Sequence, residues 1–261
     1  MLVYLQSITP HTATDTVLVL VHAFPLSSDM YRKATLAITK SLPNLPVITI
    51  DMPGFGQCPI ADSWTMDSAM ADAGRQLTDR GISSVIIGGT SMGGYATFSF
   101  YRQFPGMVKG LIFSNTKAEA DAPEAKADRE VFATEVEQRG YEAVYERMLA
   151  KLVAPSAPAE LKEFVRRSIA LQPLEAIAAA LRAMALRSDS SDLLQQIHCP
   201  VLVLASEKDE LMKEEAMKKI ADSVSDSTYR RFPSIGHLAP LEAPEQWGSA
   251  VTDFLSNKML I

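Results

Sequence analysis

The chain has 261 residues, a formal net charge of −6 and 47% apolar residues. A chain of this size buries roughly 70–75% of its unfolded surface, so a sizeable core is available, in one domain or two. Basic residues are scattered, with no group denser than a pair such as Arg230 and Arg231, which speaks against nucleic acid or an anionic membrane as the main partner.

From the N-terminus, Met1 to His11 lacks a cationic stretch followed by a long apolar run, so no signal peptide is expected. The longest apolar runs fall well short of a membrane span, and a cytoplasmic location is expected. Leu2–Ile8 alternates apolar and polar residues, predicting a strand near a sheet edge. Val17–His22, Val47–Asp51, Val85–Gly89 and Gly110–Ser114 are β-branched and almost continuously apolar, the pattern of strands covered on both faces. Helical patterns at Met66–Thr78 and Met92–Gln103 fall between them. Strand and helix in repetition imply right-handed crossovers and a parallel sheet flanked by helices. Such sheets hold their ligands at the carboxyl ends of the strands.

The alternation stops after Ser114. Residues 117–197 contain no convincing strand; Tyr141, Val144, Tyr145, Met148, Leu149 and Leu152 share one helical face, and Leu174, Ile177, Leu181 and Met184 another. The expected organisation is a core of residues 1–116 and 198–261 with a helical cap, or lid, at 117–197, inserted after the sixth strand. A peripheral helical appendage is the alternative. Met148 and Met184 are candidates for lining a substrate pocket, although methionines at helical spacing more commonly fill cores. Val201–Ala205 then predicts another buried strand, Leu211–Ser223 a helix, and Thr228–Phe232 a strand nearer an edge, before a C-terminal helix. Cys58 and Cys199 are expected as reduced thiols. Histidines and cysteines show no metal-ligand spacing, so neither metal nor cofactor is expected.

Gly89-Thr90-Ser91-Met92-Gly93 fits G-x-S-x-G, directly after a buried strand and directly before a helix. The turn there is so tight that the serine adopts a strained conformation, and the glycines two residues either side remove colliding Cβ atoms. Ser91 is thereby exposed at a helix N-terminus, where negative charge is favoured. A serine nucleophile needs a base. Of His11, His22, His198 and His237, only His237 lies after the last strand at the sheet's carboxyl end; His198 enters the sheet at the opposite end. A carboxylate must fix the imidazole, and Ser206-Glu207-Lys208-Asp209-Glu210 offers three. Asp209 is favoured because it is short and far enough past the strand to turn back. Glu207 reads as solvated loop and Glu210 as a helix first turn. Asn115, at the end of Gly110–Ser114, cannot carry charge. Acyl transfer requires oxyanion donors, for which the backbone N–H groups of Met92 and Phe24 are the candidates, since Pro25 has none. Phe24 and Met92 could also line the pocket through their side chains.

His22-Ala23-Phe24-Pro25, Asp51-Met52-Pro53-Gly54-Phe55-Gly56, Gly89-Thr90-Ser91-Met92-Gly93-Gly94, Asp209 and Gly236-His237-Leu238 together resemble the α/β-hydrolase superfamily, in particular its small carboxylesterases, 3-oxoadipate enol-lactonases and cofactor-free perhydrolases. The resemblance spans essentially the whole chain. It implies a triad of Ser91, Asp209 and His237, an oxyanion hole from Phe24 and Met92, and hydrolysis of a small carboxylic ester or lactone through an acyl-enzyme. It also implies a structural role for His22 and Asp51, and a minor perhydrolase activity associated with Pro25. Ala23 departs from the usual His-Gly and puts the shape of the oxyanion loop in question. A ligand receptor on the same fold, or a lyase or C–C hydrolase using the same triad, are the alternatives. Substrate identity and oligomeric state are not legible.

Overall fold

The computed structural model describes residues 1–10, 16–61 and 63–261. Their strands are β1 Tyr4–Ser7, β2 Thr16–Val21, β3 Val47–Asp51, β4 Ser84–Thr90, β5 Val108–Ser114, β6 Val201–Ser206 and β7 Ser227–Phe232, which form one sheet in the order β1-β3-β2-β4-β5-β6-β7. Only β1 runs antiparallel, against β3. β3 and β6 are buried at every position, as their nearly continuous apolar runs predict, whereas β1 and β7 sit at the edges and keep half-exposed residues.

Helices α1 Arg32–Ser41, α2 Met66–Asp79 and α3 Met92–Gln103 cross over between strands. α2 is locked at its start by a capping box between Thr65 and Ser68. Segment 117–197 holds α4 Pro123–Arg139, α5 Tyr141–Val144, α6 Ala150–Leu152, α7 Ala159–Ala170 and α8 Leu174–Ala185, with a π-helical turn at Tyr145–Leu149 keeping 141–152 continuous. It follows β5, not a sixth strand: among the described residues a single strand, β1, flanks β3 and ends the sheet on that side. α9 Glu214–Ser223, α10 Ala239–Glu242 and α11 Pro244–Asn257 complete the chain. α9 begins at Glu214, later than Leu211, because Asp209 Oδ1 accepts the N–H groups of Leu211 (2.8 Å) and Met212 (2.9 Å) and holds them in a turn; Glu210 lies in that turn and not in a helix.

The strand order has one reversal. β2 leads outward to β3, and the chain then returns to β4 on the other side of β2. The crevice outside the carboxyl ends of β2 and β4 is the switch point where doubly wound sheets take their ligands.

Candidate active site

Ser91 stands at this switch point, between β4 and α3, with φ 57° and ψ −114°. An L-residue rarely adopts this conformation, and it is sustained by close packing on both sides. A Cβ on Gly89 would lie 2.3 Å from the Gly93 carbonyl carbon, and one on Gly93 would lie 2.0 Å from Val21 O. Both positions must therefore be glycine, and the elbow that carries Ser91 is wedged against the end of β2. Ser91 N–H donates to Ser114 O (3.0 Å), and Thr116 Oγ1 donates to Ser91 O (2.8 Å). Behind the turn, Tyr31 donates to Val21 O and accepts the Thr90 N–H, both at 3.0 Å.

His237 and Asp209 meet at the same rim. His237 Nδ1 lies 2.8 Å from Asp209 Oδ2, and the two side chains are 1% and 0% exposed. A carboxylate can only accept, so Nδ1 carries the proton and Nε2 is left free to take one. Asp209 Oδ2 also accepts from Asn115 Nδ2 (2.8 Å), while Oδ1 caps the 211–212 turn, so both oxygens are held. Burial pushes this carboxyl up, but the His237 imidazole, the Met212 N–H and the Asn115 amide outweigh it and hold Asp209 below its ordinary pKa. Asn115, which in sequence signals only missing charge, holds Asp209 Oδ2 through its amide; Ser114 and Ser206 hydroxyls in turn donate to its Oδ1, both at 3.2 Å.

The other carboxylates of that loop do different work. Glu207 Oε2 accepts the Ser234 N–H (3.1 Å), and Glu207 pairs with Arg231 and Lys208, so it braces the histidine loop from outside. Glu242 Oε2 accepts the N–H groups of Gly236 (3.1 Å) and Ala154 (2.9 Å), and Leu238 N–H donates to Leu152 O (3.1 Å). The inserted segment is thus stitched directly to the loop that carries His237.

His22 and Asp51 hold the loop after β2. His22 Nε2 accepts the Met52 N–H (3.0 Å), and Nδ1 faces Ala23 O at 3.0 Å, the neutral tautomer; burial pulls its pKa down against the opposing charge of Asp51. Asp51 accepts N–H groups from Ser28 (2.7 Å) and Gln57 (3.0 Å). Positive φ at described non-glycine residues occurs at Ser91, Asn115, Ser234 and Met259, and Ala23 is not among them, so its Cβ carries no conformational penalty there. Met92 is the first residue of α3, where an N–H has no intrahelical partner. His198 is far from this rim, at the entrance of β6, and His11 lies outside the described residues.

A cavity of about 340 Å³ opens over Ser91. Phe24, Met148 and Met184 border it, as expected; Met92 does not, its side chain being fully buried in the core. The sequence reading missed its polar wall: Tyr95 from α3, Lys117 and Asp121 before α4, Asp128 and Arg129 on α4, and Arg147 and Lys151 on the 141–152 run. Asp121, 2% exposed, pairs with Lys117 (3.0 Å), Arg187 (2.7 Å) and Arg129. Burial would raise its pKa, but the two arginines hold it well below the usual carboxylate range.

A model of the alpha/beta hydrolase fold family matches residues 16–244, and the chain belongs to that family. It superposes with TM-score 0.89 on a malate-bound thermophilic esterase from Thermogutta terrifontis, 32% identical, over 98% of this chain and 93% of that one. The enol-lactonase from Burkholderia xenovorans LB400 shares the fold at TM-score 0.84 and 18% identity, over 97% of this chain and 96% of that one. In sequence, the chain is 26% identical over 251 residues to the biotin biosynthesis bifunctional protein BioHC of Cellvibrio japonicus, covering 92% of this chain and 48% of that protein, so it spans about half that relative's length. No described helix is long and apolar enough to cross a membrane.

Proposed function

We propose that this protein is a serine hydrolase that cleaves a small carboxylic ester or lactone through an acyl-enzyme, with Ser91 as nucleophile, His237 as base and Asp209 as the acid that orients it. The observation that carries the reading is the buried 2.8 Å contact between Asp209 and His237 at the rim where Ser91 holds its elbow conformation. The esterase and enol-lactonase folds on the same sheet support it. Ser91 Oγ attacks the carbonyl carbon while His237 Nε2 takes its proton, and Asp209 stabilises the resulting imidazolium. The N–H groups of Phe24 and Met92 receive the oxyanion. Collapse of the tetrahedral intermediate breaks the bond to the alcohol oxygen, which leaves with the proton from Nε2. Water, deprotonated by His237, then releases the acid and restores Ser91. Segment 117–197 acts as a cap that shapes the pocket, and the protein works in the cytoplasm without a cofactor. A fluorophosphonate probe is expected to label the wild type and not Ser91→Ala, and the wild type is expected to hydrolyse p-nitrophenyl butyrate. Tight ligand binding without turnover would favour a receptor instead.

A further inference from the structure

The wall of the Ser91 cavity is charged in a way that a small neutral ester does not require. Four basic side chains, Lys117, Arg129, Arg147 and Lys151, border it against two carboxylates, Asp121 and Asp128, in a chain whose net charge is −6. Arg147 is balanced by Asp128 and Glu135, but Asp121 alone is shared among Lys117, Arg129 and Arg187, and one carboxylate cannot balance three cations. Lys151 enters none of the ion pairs formed among the described residues.

Tyr95 supplies an independent observation. It lies one helical turn beyond Ser91 on α3, borders the same cavity and is 4% exposed. Its hydroxyl is buried with no hydrogen-bond partner, and the Arg187 guanidinium sits 4.0 Å from its ring centroid. Buried hydroxyls are nearly always paired, so an unpaired one on a residue bordering the cavity is a candidate donor to an occupant. Tyr95 also borders a void of about 10 Å³, room for a single water, which is the competing partner.

We infer that the cavity takes an ester bearing a carboxylate, which accepts a hydrogen bond from Tyr95 and is balanced by Arg129 and Lys151 while its ester carbonyl meets Ser91. The inference rests on the ester-hydrolase reading and names its substrate class. The test compares kcat/KM for methyl hydrogen succinate and methyl pentanoate by methanol release. The charged ester is expected to be preferred by about tenfold or more, the strength of a charge-assisted hydrogen bond. Tyr95→Phe and the exposed Lys151→Gln should each collapse that ratio, and raising salt from about 0.1 M to about 0.5 M, which shortens the screening length about twofold, should shrink it. In parallel, Ser91→Ala is titrated calorimetrically with methyl hydrogen succinate, where saturable binding weakened by Tyr95→Phe is expected. Equal or reversed preference, no binding to Ser91→Ala, or binding indifferent to Tyr95→Phe would overturn the inference, the last assigning the hydroxyl to a buried water. Binding that responds to Tyr95→Phe, without hydrolysis of either ester, would uphold the anion site and overturn the esterase reading.

Discussion

The carboxyl rim of the sheet and the inserted helices are held by different forces. At the rim, backbone groups and short side chains do the holding: Gly89 and Gly93 permit contacts no Cβ would tolerate, and Asp209 receives hydrogen bonds on both oxygens. The insertion packs an apolar seam, with Val136, Val144, Ile177 and Leu181 buried, and carries ion pairs over it. Arg182 on α8 grips Glu130 and Glu137 on α4, Arg147 reaches Asp128 and Glu135, and Arg139 pairs with Glu146. A rim of this kind leaves almost no freedom in geometry, whereas ion pairs among half-exposed side chains can be exchanged at small cost. Under the proposed function, chemistry is thus fixed in one region, and selectivity can vary in the other.

Substitutions at the rim should test that contrast most severely. Ser91→Ala is expected to lower turnover of p-nitrophenyl butyrate by roughly 10⁴- to 10⁶-fold, and Asp209→Asn by on the order of 10⁴. If Glu207→Gln costs more than Asp209→Asn, the acid is misassigned. The sharpest exception within the insertion is Asp121, whose buried pairing resembles the rim more than its own surroundings. Asp121→Asn strands Arg187, 4% exposed, and should destabilise the protein by about 3–5 kcal/mol in urea unfolding. A destabilisation no larger than that of a surface pair would break the comparison at that point.

Acid should reveal the same division. Asp209 and Asp121 are both held below their unfolded pKa, so the stability they contribute is fully present above the ordinary carboxylate range near about 4 and is lost as pH falls through their folded values. Thermal melts between pH 7 and pH 3 should show this loss, and Asp121→Asn should flatten it. Arg182→Ala, by contrast, should cost about 1 kcal/mol or less, with the difference from wild type shrinking in high salt. The smallest effect expected is at the loop after β2: a minor peroxide-dependent halogenation in acetate buffer. Its absence would detach Pro25 from any perhydrolase role.

Legibility in the sequence followed the same line. β2 to β6 could be read because strands covered on both faces are almost continuously apolar, and the placing of Ser91, Asp209 and His237 at one rim because each follows a strand end. α4 falls within the expected helical segment but shows no face of its own, because only Phe132, Ala133 and Val136 are buried along its 17 residues, too few for a periodic signal. Tyr95 and the cationic wall were missed for a related reason: a charge facing a cavity and a charge facing water look alike in one dimension. Asn115 carried a signal, its position at a strand end beside the candidate acid, but only the fold shows the amide turned toward Asp209.

The seam between residues 152–154 and the histidine loop limits how the enzyme can breathe. At the other end, Asp121 clamps the chain leaving β5 to α4 and to the segment after α8 through Arg129 and Arg187. A segment fastened at both attachments cannot swing aside as a rigid door without dragging the imidazole with it. Passage to and from the cavity is left to rotamer changes among the side chains that line it, such as Met148 and Lys151, so turnover should be governed by small local motions and not by a large hinge.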